Sequence, residues 1–231
     1  MVSLANPLPL VTALVAILPA GALFFFAYGR YDGLFRDNVV FLFFVGGLLL
    51  GAFLSLFAVY MSVFGLLYFV TLVPLLYAVA LVAALNRRKW QGERHSVFNG
   101  GALGLGVASM TSFAFVYRGL SSDLTALALA SWTLAATGAA AALLAAGLAL
   151  GQGVAERRPF RATFAVALPL AAFFVVLSEF LLSRALLWAV AALVMGGVGF
   201  GFAFARLMPR GVEPGRLRAR RRASRPADHD E

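Results

Sequence analysis

The chain has 231 residues, of which 62% are hydrophobic and 13% are charged, and its mean hydropathy is +0.90. Apolar runs of about twenty residues recur from residue 9 to residue 207, so little length remains for a water-soluble core and a polytopic membrane protein is predicted. The absence of cysteine excludes disulfides, thiolate catalysis and Cys-ligated metal centres, and with two histidines a His-rich metal site is disfavoured. No cofactor is predicted.

Seven spanning helices are predicted, because a helix needs about twenty residues to cross about 30 Å of hydrocarbon. The uncharged stretch 39–85 is too long for one crossing and must turn back between residues 60 and 65, and the stretch 162–207 must turn back at Ser183 and Arg184. In chain order the predicted spans are 9–28, 39–60, 65–85, 99–117, 124–150, 162–182 and 185–207. Residues 208–231 are predicted to form a basic cytoplasmic tail that is disordered in water.

The positions of the basic residues predict the orientation, since cytoplasmic loops of membrane proteins are enriched in lysine and arginine. Of the 19 basic residues, all but Arg118 and Arg184 lie in the loops after spans one, three and five or at the C-terminal side of span seven. The N-terminus is therefore predicted to lie outside and the C-terminus in the cytoplasm. The predicted location is the cytoplasmic membrane of a prokaryote.

Polar residues within the spans are the candidates for chemistry, because burying a polar group in lipid is costly. Glu179, about one turn from the outer end of span six, is either a rim carboxylate held by an arginine or by water, or a catalytic or ion-coupling group. Ser109, Thr111 and Ser112, near the middle of span four, either line a polar cavity or bond the backbone of their own helix.

Pairs of glycines four residues apart predict close helix contacts, since small residues let helix backbones approach each other in lipid. These pairs are Gly47 and Gly51 in span two, Gly100 and Gly104 in span four, and Gly197 and Gly201 in span seven. Each pair packs either inside the bundle or against another membrane protein, which can be a second copy of this chain.

The tail carries a dense arginine cluster. It consists of Arg216, Arg218, Arg220, Arg221 and Arg222. Such a cluster either binds anionic head groups of inner-leaflet lipids or a partner protein, or serves only to set the topology. Nucleic acid is the least favoured partner.

Several segments, read in order, resemble the PrsW family of intramembrane proteases, which is related to the CPBP membrane peptidases. Residues 19–28 and the following Gly-Arg-Tyr-Asp-Gly resemble that family's first span and cytoplasmic loop. Residues 99–112 are similar to its Gly-Ala-rich stretch, and residues 168–180 are similar to a later span with a proline and an Asp-Phe pair. The resemblance covers roughly residues 15 to 180 and implies a seven-helix membrane fold.

The family's catalytic motifs are missing at the matching positions. Where the family has Glu-Glu-x-x-Lys on span three, the stretch Leu72 to Tyr77 has no acid or base. Thr111 and Ser112 stand in place of Glu-Asn, and Trp132 and an apolar residue near Phe174 fall where the histidines would be. Only Glu179 remains as a counterpart of an acidic position. A metal-dependent hydrolase needs about three protein ligands and a general base, and this set does not supply them.

The resemblance therefore implies a member that has kept the fold and lost catalysis. The same superfamily includes a seven-span subunit of gamma-secretase, the anterior-pharynx-defective scaffold, which has an outside N-terminus and no protease activity. The predicted function is a scaffold or accessory subunit of a membrane protein complex. A small transporter or channel component is the alternative, and an active protease of altered chemistry is a third.

Overall fold

The computed structural model describes residues 8–31, 33, 35–87, 90–121 and 124–212, and residues 62–64 among them by their backbone alone. The secondary structure of these residues is entirely helical. The helices are α1 (Leu8–Gly29), α2 (Asp37–Phe64), α3 (Leu66–Leu85), α4 (Ser96–Leu120), α5 (Ala126–Ala155), α6 (Pro159–Ser183) and α7 (Leu186–Arg206), followed by a 3-10 turn (Met208–Gly211). All seven α-helices are long and apolar enough to cross a membrane. The predicted all-α membrane architecture with seven spanning helices is confirmed.

The two long apolar stretches are each broken by a residue with positive φ. After α2, Gly65 has φ 124° and ψ 160°, a conformation that is essentially restricted to glycine. After α6, Arg184 adopts the left-handed conformation, with φ 55°. Both breaks lie in the segments where the chain was predicted to turn back.

Several helices extend a few residues beyond the predicted spans, since a helix can continue past the apolar core that was used to predict it. The largest difference is in α5, which runs to Ala155 and so includes Gly151 to Val154. At its start, α5 begins later than predicted, because the Thr125 hydroxyl caps the helix and accepts a hydrogen bond from Ala128 N at 3.2 Å.

The least hydrophobic helices lie at the centre of the bundle. The span of α4 has a mean hydropathy of 1.3 and is 78% buried, whereas the span of α2 has a mean hydropathy of 2.6 and is 28% buried. Lipid is as apolar as leucine, so burial inside a membrane bundle follows close packing rather than hydrophobicity. The small-residue helices α4 and α5 therefore form the core, and the other helices surround them with leucine, valine and phenylalanine outward.

The two ends of the bundle differ in charge. At one end, which we call the basic end, the loops after α1, α3 and α5 meet the turn after α7. Contacts hold these segments against the helix ends: Gly92 N of the α3–α4 loop donates to Val154 O near the end of α5 at 3.4 Å, and Gly211 after α7 packs so close to the Phe98 ring of α4 that a Cβ there would lie 2.7 Å from it. The described arginines of this end are Arg30, Arg36, Arg87, Arg94, Arg157, Arg158, Arg161, Arg206 and Arg210. Among the described residues, the opposite end holds Arg118 and Arg184.

Candidate functional site

A hydrogen bond between two side chains joins helices in the middle of the bundle. The hydroxyls of Tyr77 on α3 and Thr111 on α4 are 2.8 Å apart, and both residues are buried. The ring of Phe174 on α6 packs 5.6 Å from the ring of Tyr77, and Phe69 on α3 packs 5.5 Å from Phe174. We call these four residues the Tyr77 cluster. It links α3, α4 and α6 through ring packing and one buried hydrogen bond.

The Tyr77 cluster brings together residues at or near three of the places where the family resemblance implies acids and histidines. Tyr77, Thr111 and Phe174 contribute a phenol, a hydroxyl and a phenyl ring, and the two hydroxyls bond each other. In the part of the chain that the structure describes, no group of three histidines, aspartates or glutamates could hold a metal ion. These residues do not fit the metal that the resemblance implies.

The other polar candidates in α4 bond locally or line very little space. Ser109 Oγ donates to Leu105 O of its own helix at 2.9 Å. Ser112 is buried and, with Thr111 and Trp132, lines a cavity of only about 20 Å³, which is room for about one water molecule. Of the three α4 hydroxyls, only that of Thr111 joins two helices in the described structure, and the space beside Thr111 and Ser112 is small.

Glu179 lies apart from the Tyr77 cluster, partly exposed near the end of α6. Within the described residues its carboxylate has no hydrogen-bond or ion-pair partner. The nearby cation Arg184 binds elsewhere: its Nη1 donates to Gly119 O of α4 at 3.2 Å, and its guanidinium lies 5.2 Å from the Trp132 ring centre. Arg184 thus ties the end of α6 to α4 and α5.

The span-two glycines lie at a close contact between α2 and α4. A Cβ at Gly47 would lie 3.0 Å from Gly106 Cα, and a Cβ at Gly51 would lie 2.7 Å from Val107 O. Real Cβ atoms almost never approach other heavy atoms so closely. Because glycine has only a hydrogen atom as its side chain, the backbones of α2 and α4 can touch at these two positions.

The span-four glycines lie at the corresponding contact between α4 and α5. A Cβ at Gly100 would lie 3.1 Å from Gly151 Cα, and one at Gly104 would lie 3.4 Å from Gly147 Cα and closer still to the Leu143 carbonyl. Both glycine pairs, the one in α2 and the one in α4, therefore pack against helices of the same chain.

The span-seven glycines differ from the other two pairs, because a Cβ at Gly197 or Gly201 would meet nothing within 4 Å. The neighbouring Gly196 is the residue that packs on α5, where a Cβ would lie 3.0 Å from Gly138 Cα. Gly197 and Gly201 therefore point away from the bundle and remain available to another molecule.

The arginine cluster predicted to contact lipid or a partner falls outside the described residues. This applies to Arg216, Arg218, Arg220, Arg221 and Arg222. The described chain ends at Val212, which is buried against the bundle at the basic end.

A polar cavity that was not predicted from the sequence opens at the basic end, and we call it the basic-end cavity. Its volume is about 600 Å³. It is lined by Phe35, Arg36, Val39, Trp90, Gly92, Glu93, Arg94, His95 and Asn99. Two polar atoms of these lining residues, His95 Nδ1 and Asn99 Nδ2, are buried without a hydrogen-bond partner.

Aromatic packing fixes one wall of the basic-end cavity. The Phe35 ring stacks on Phe98 of α4 at 5.1 Å, and Tyr31 packs on Phe98 at 5.7 Å. Tyr28 of α1 donates from its hydroxyl to Phe98 O at 2.6 Å. Burial raises the pKa of the Tyr31 phenol, and the neighbouring Arg30 charge lowers that pKa by a smaller amount. These contacts hold the α1–α2 loop against the start of α4.

In the sequence, Arg36 and Arg94 indicate only the orientation of the chain, and Asn99 marks only the polar edge of a span. One local signal was present, because His95 and Asn99 are four residues apart and so share one face at the start of a helix. Arg36 is far from both in sequence, and only the folded chain brings it to the same cavity.

Comparisons of this chain with family models, with curated proteins and with solved structures find no match.

Proposed function

We propose that this protein is a catalytically inactive scaffold or accessory subunit of a membrane protein complex, with a fold resembling that of PrsW-type proteases. The Tyr77 cluster supports the proposal that the protein is catalytically inactive. Where a protease of that type needs acids and histidines, Tyr77 and Thr111 bond each other and Phe174 packs on them. Groups held in this way supply neither metal ligands nor a general base.

The scaffold part of the proposal is supported by the outward face of α7. On this face Gly197 and Gly201 alternate with Val194 and Val198, whose side chains are 57% and 69% exposed. Glycines between β-branched residues let a second helix approach closely and pack against a rigid surface. The proposed occupant is a spanning helix of another membrane protein or of a second copy of this chain.

The orientation follows from the charge of the two ends. The basic end, with the loops after α1, α3 and α5, is proposed to face the cytoplasm, and the N-terminus to lie outside. The proposed location is the cytoplasmic membrane of a prokaryote. The arginine-rich tail then lies beside the inner leaflet, where anionic lipid head groups are its proposed partners.

A transporter receives less support from the same contacts. Coupled transporters place ionisable groups or interrupted helices near the middle of the membrane. Here Ser109 bonds its own helix, and the cavity beside Thr111 and Ser112 measures only about 20 Å³.

The proposal is tested by purifying the tagged protein from its host membrane in mild detergent and identifying every stoichiometric partner by mass. The wild type is compared with the double variant Gly197→Leu, Gly201→Leu. Gly46→Leu is the matched control, because a Cβ at Gly46 also meets nothing within 4 Å but lies on α2.

The wild type and Gly46→Leu should retain the partner, or a second copy, and the double variant should lose it while its thermal unfolding is unchanged. A wild-type protein that purifies alone as a monomer would contradict the scaffold proposal. So would a double variant that keeps its partner in full.

A further inference from the structure

We propose that the basic-end cavity binds a phosphate group, either that of a membrane lipid or free phosphate. The site does not depend on the scaffold function, and none of its lining residues belongs to the arginine cluster of the tail. It is built from the α1–α2 loop, the α3–α4 loop and the first turn of α4, which meet around the cavity of about 600 Å³.

The charges on the cavity wall favour an anion. Arg36 and Arg94 line it, and in the described part of the chain neither guanidinium has a hydrogen-bond or ion-pair partner. Glu93 is the one carboxylate among the lining residues. A third guanidinium lies next to the lining residue Gly92: Arg157 Nε is 3.3 Å from the position that a Cβ would take there. Arginine guanidinium groups are well suited to phosphate because they donate several hydrogen bonds in one plane.

Two residues that line the cavity each have a buried nitrogen without a hydrogen-bond partner, which favours a ligand that accepts hydrogen bonds. Asn99 is only 2% exposed, and its Nδ2 has no acceptor. His95 Nδ1 is also buried without a partner, and it donates in the tautomer that carries the proton there. Leaving a buried donor unpaired costs stability. A phosphate in this cavity would supply oxygen atoms for the two arginines, and it would pair Asn99 Nδ2 or His95 Nδ1 only after that side chain turned toward the cavity.

Three of the backbone amides at the start of α4 already have acceptors. Ser96 N already donates to Glu93 O at 3.1 Å, Val97 N to Arg94 O at 3.2 Å, and Asn99 N to His95 O at 3.1 Å. Recognition therefore rests on side chains, and substitution of those side chains is a direct test.

An apolar groove beside the cavity favours a lipid as the source of the phosphate. This groove of about 340 Å³ runs between α1 and α2, and Phe35 lines both the groove and the cavity. Its walls include Phe24, Phe25 and Phe41, and Asp37 lies among the residues lining it. A phospholipid has the matching two parts, a charged head for the cavity and an acyl chain for the groove.

The test uses the full-length protein in two arms. In one arm, detergent-solubilised protein freed of lipid is titrated with inorganic phosphate. In the other, the protein is reconstituted into phosphatidylcholine vesicles with or without phosphatidic acid, and retained lipid is counted by native mass spectrometry. Both arms compare the wild type with Arg36→Gln, Arg94→Gln and Asn99→Asp. Arg161→Gln is the control, because it removes an exposed arginine of the same end that does not line the cavity.

Saturable binding that each cavity variant weakens by about tenfold or more, and that Arg161→Gln leaves unchanged, supports the proposal. Binding of phosphatidic acid alone identifies the lipid as the source, and binding of inorganic phosphate that competes with it identifies free phosphate as a ligand of the same site. Absence of binding in both arms overturns the proposal, as does binding that the cavity variants and the control change equally. The two arginine variants alter exposed side chains, so they keep the test valid if Asn99→Asp fails to fold.

Discussion

The close contact between α2 and α4 predicts that alanine substitution at two glycines of α2 will change the stability of the protein in different ways. At Gly51 a Cβ would lie 2.7 Å from Val107 O and 2.8 Å from Val107 Cα, both of them backbone atoms that cannot rotate away. At Gly46 a Cβ would meet nothing within 4 Å. We therefore compare Gly51→Ala with Gly46→Ala, which add the same methyl group to the same helix in opposite surroundings.

The expected magnitudes follow from these distances. Ordinary van der Waals contact begins at 3.4 Å, so α2 must withdraw from α4 by about 0.7 Å to admit a methyl group at Gly51. Such overpacking costs about 1–3 kcal/mol, and it outweighs the gain of about 0.5–1 kcal/mol that alanine brings over glycine inside a helix. Gly51→Ala should lower the free energy of unfolding by about 1–2 kcal/mol. Gly46→Ala should raise it slightly or leave it unchanged.

The assay is equilibrium unfolding by sodium dodecyl sulfate in mixed micelles, followed by tryptophan fluorescence. Trp132 is buried at 3% exposure against Phe180, so its emission reports on the packed state. If the two substitutions changed the free energy of unfolding equally, the close approach of α2 to α4 would be refuted. The same would follow if the Gly51→Ala variant were more stable than the wild type.

Three further predictions concern the Tyr77 cluster, the α2–α3 turn and Glu179. Tyr77→Phe and Thr111→Val should each lower the free energy of unfolding by about 1 kcal/mol. Because both remove the same buried hydrogen bond, the double variant should lower it by less than the sum of the two, by about 0.5 kcal/mol or more. Strict additivity in this double-mutant cycle would contradict the prediction. Gly65→Ala should cost about 1–3 kcal/mol despite open space around it, because φ 124° is strained for alanine; an unchanged unfolding midpoint would show that the turn differs. Glu179→Gln should leave unfolding and partner retention unchanged, and a loss of solute flux in reconstituted vesicles would instead favour a transporter.

The fold was predictable because its signals lie along the chain. Apolar length fixed the number of crossings, and the breaks at Gly65 and Arg184 coincide with the polar or flexible points of the two long apolar stretches. The central place of α4 and α5 could also have been inferred, since their low mean hydropathy and high content of small residues are typical of helices shielded from lipid.

The sequence did not allow us to predict which helix packs against each glycine-bearing face. The pairs Gly100 with Gly104 and Gly197 with Gly201 have the same spacing, yet the first pair touches α5 and, within the described residues, a Cβ at either member of the second pair would meet nothing within 4 Å. Sequence spacing shows that a helix can be approached closely but does not show by which helix. The basic-end cavity was missed for a related reason, because Arg36 joins His95 and Asn99 only after three segments have packed together.

The scaffold proposal is tested most directly by crosslinking from α7 in the native membrane. The chain has no cysteine, so Val198→Cys provides a single attachment point for a benzophenone label on the outward face of α7. Leu168→Cys, at a position on α6 that is 77% exposed, provides the matched control. Illumination should link the label at position 198, and not the label at position 168, to one defined membrane protein or to a second copy of the chain. Labels that give no protein product at either position would contradict the scaffold proposal.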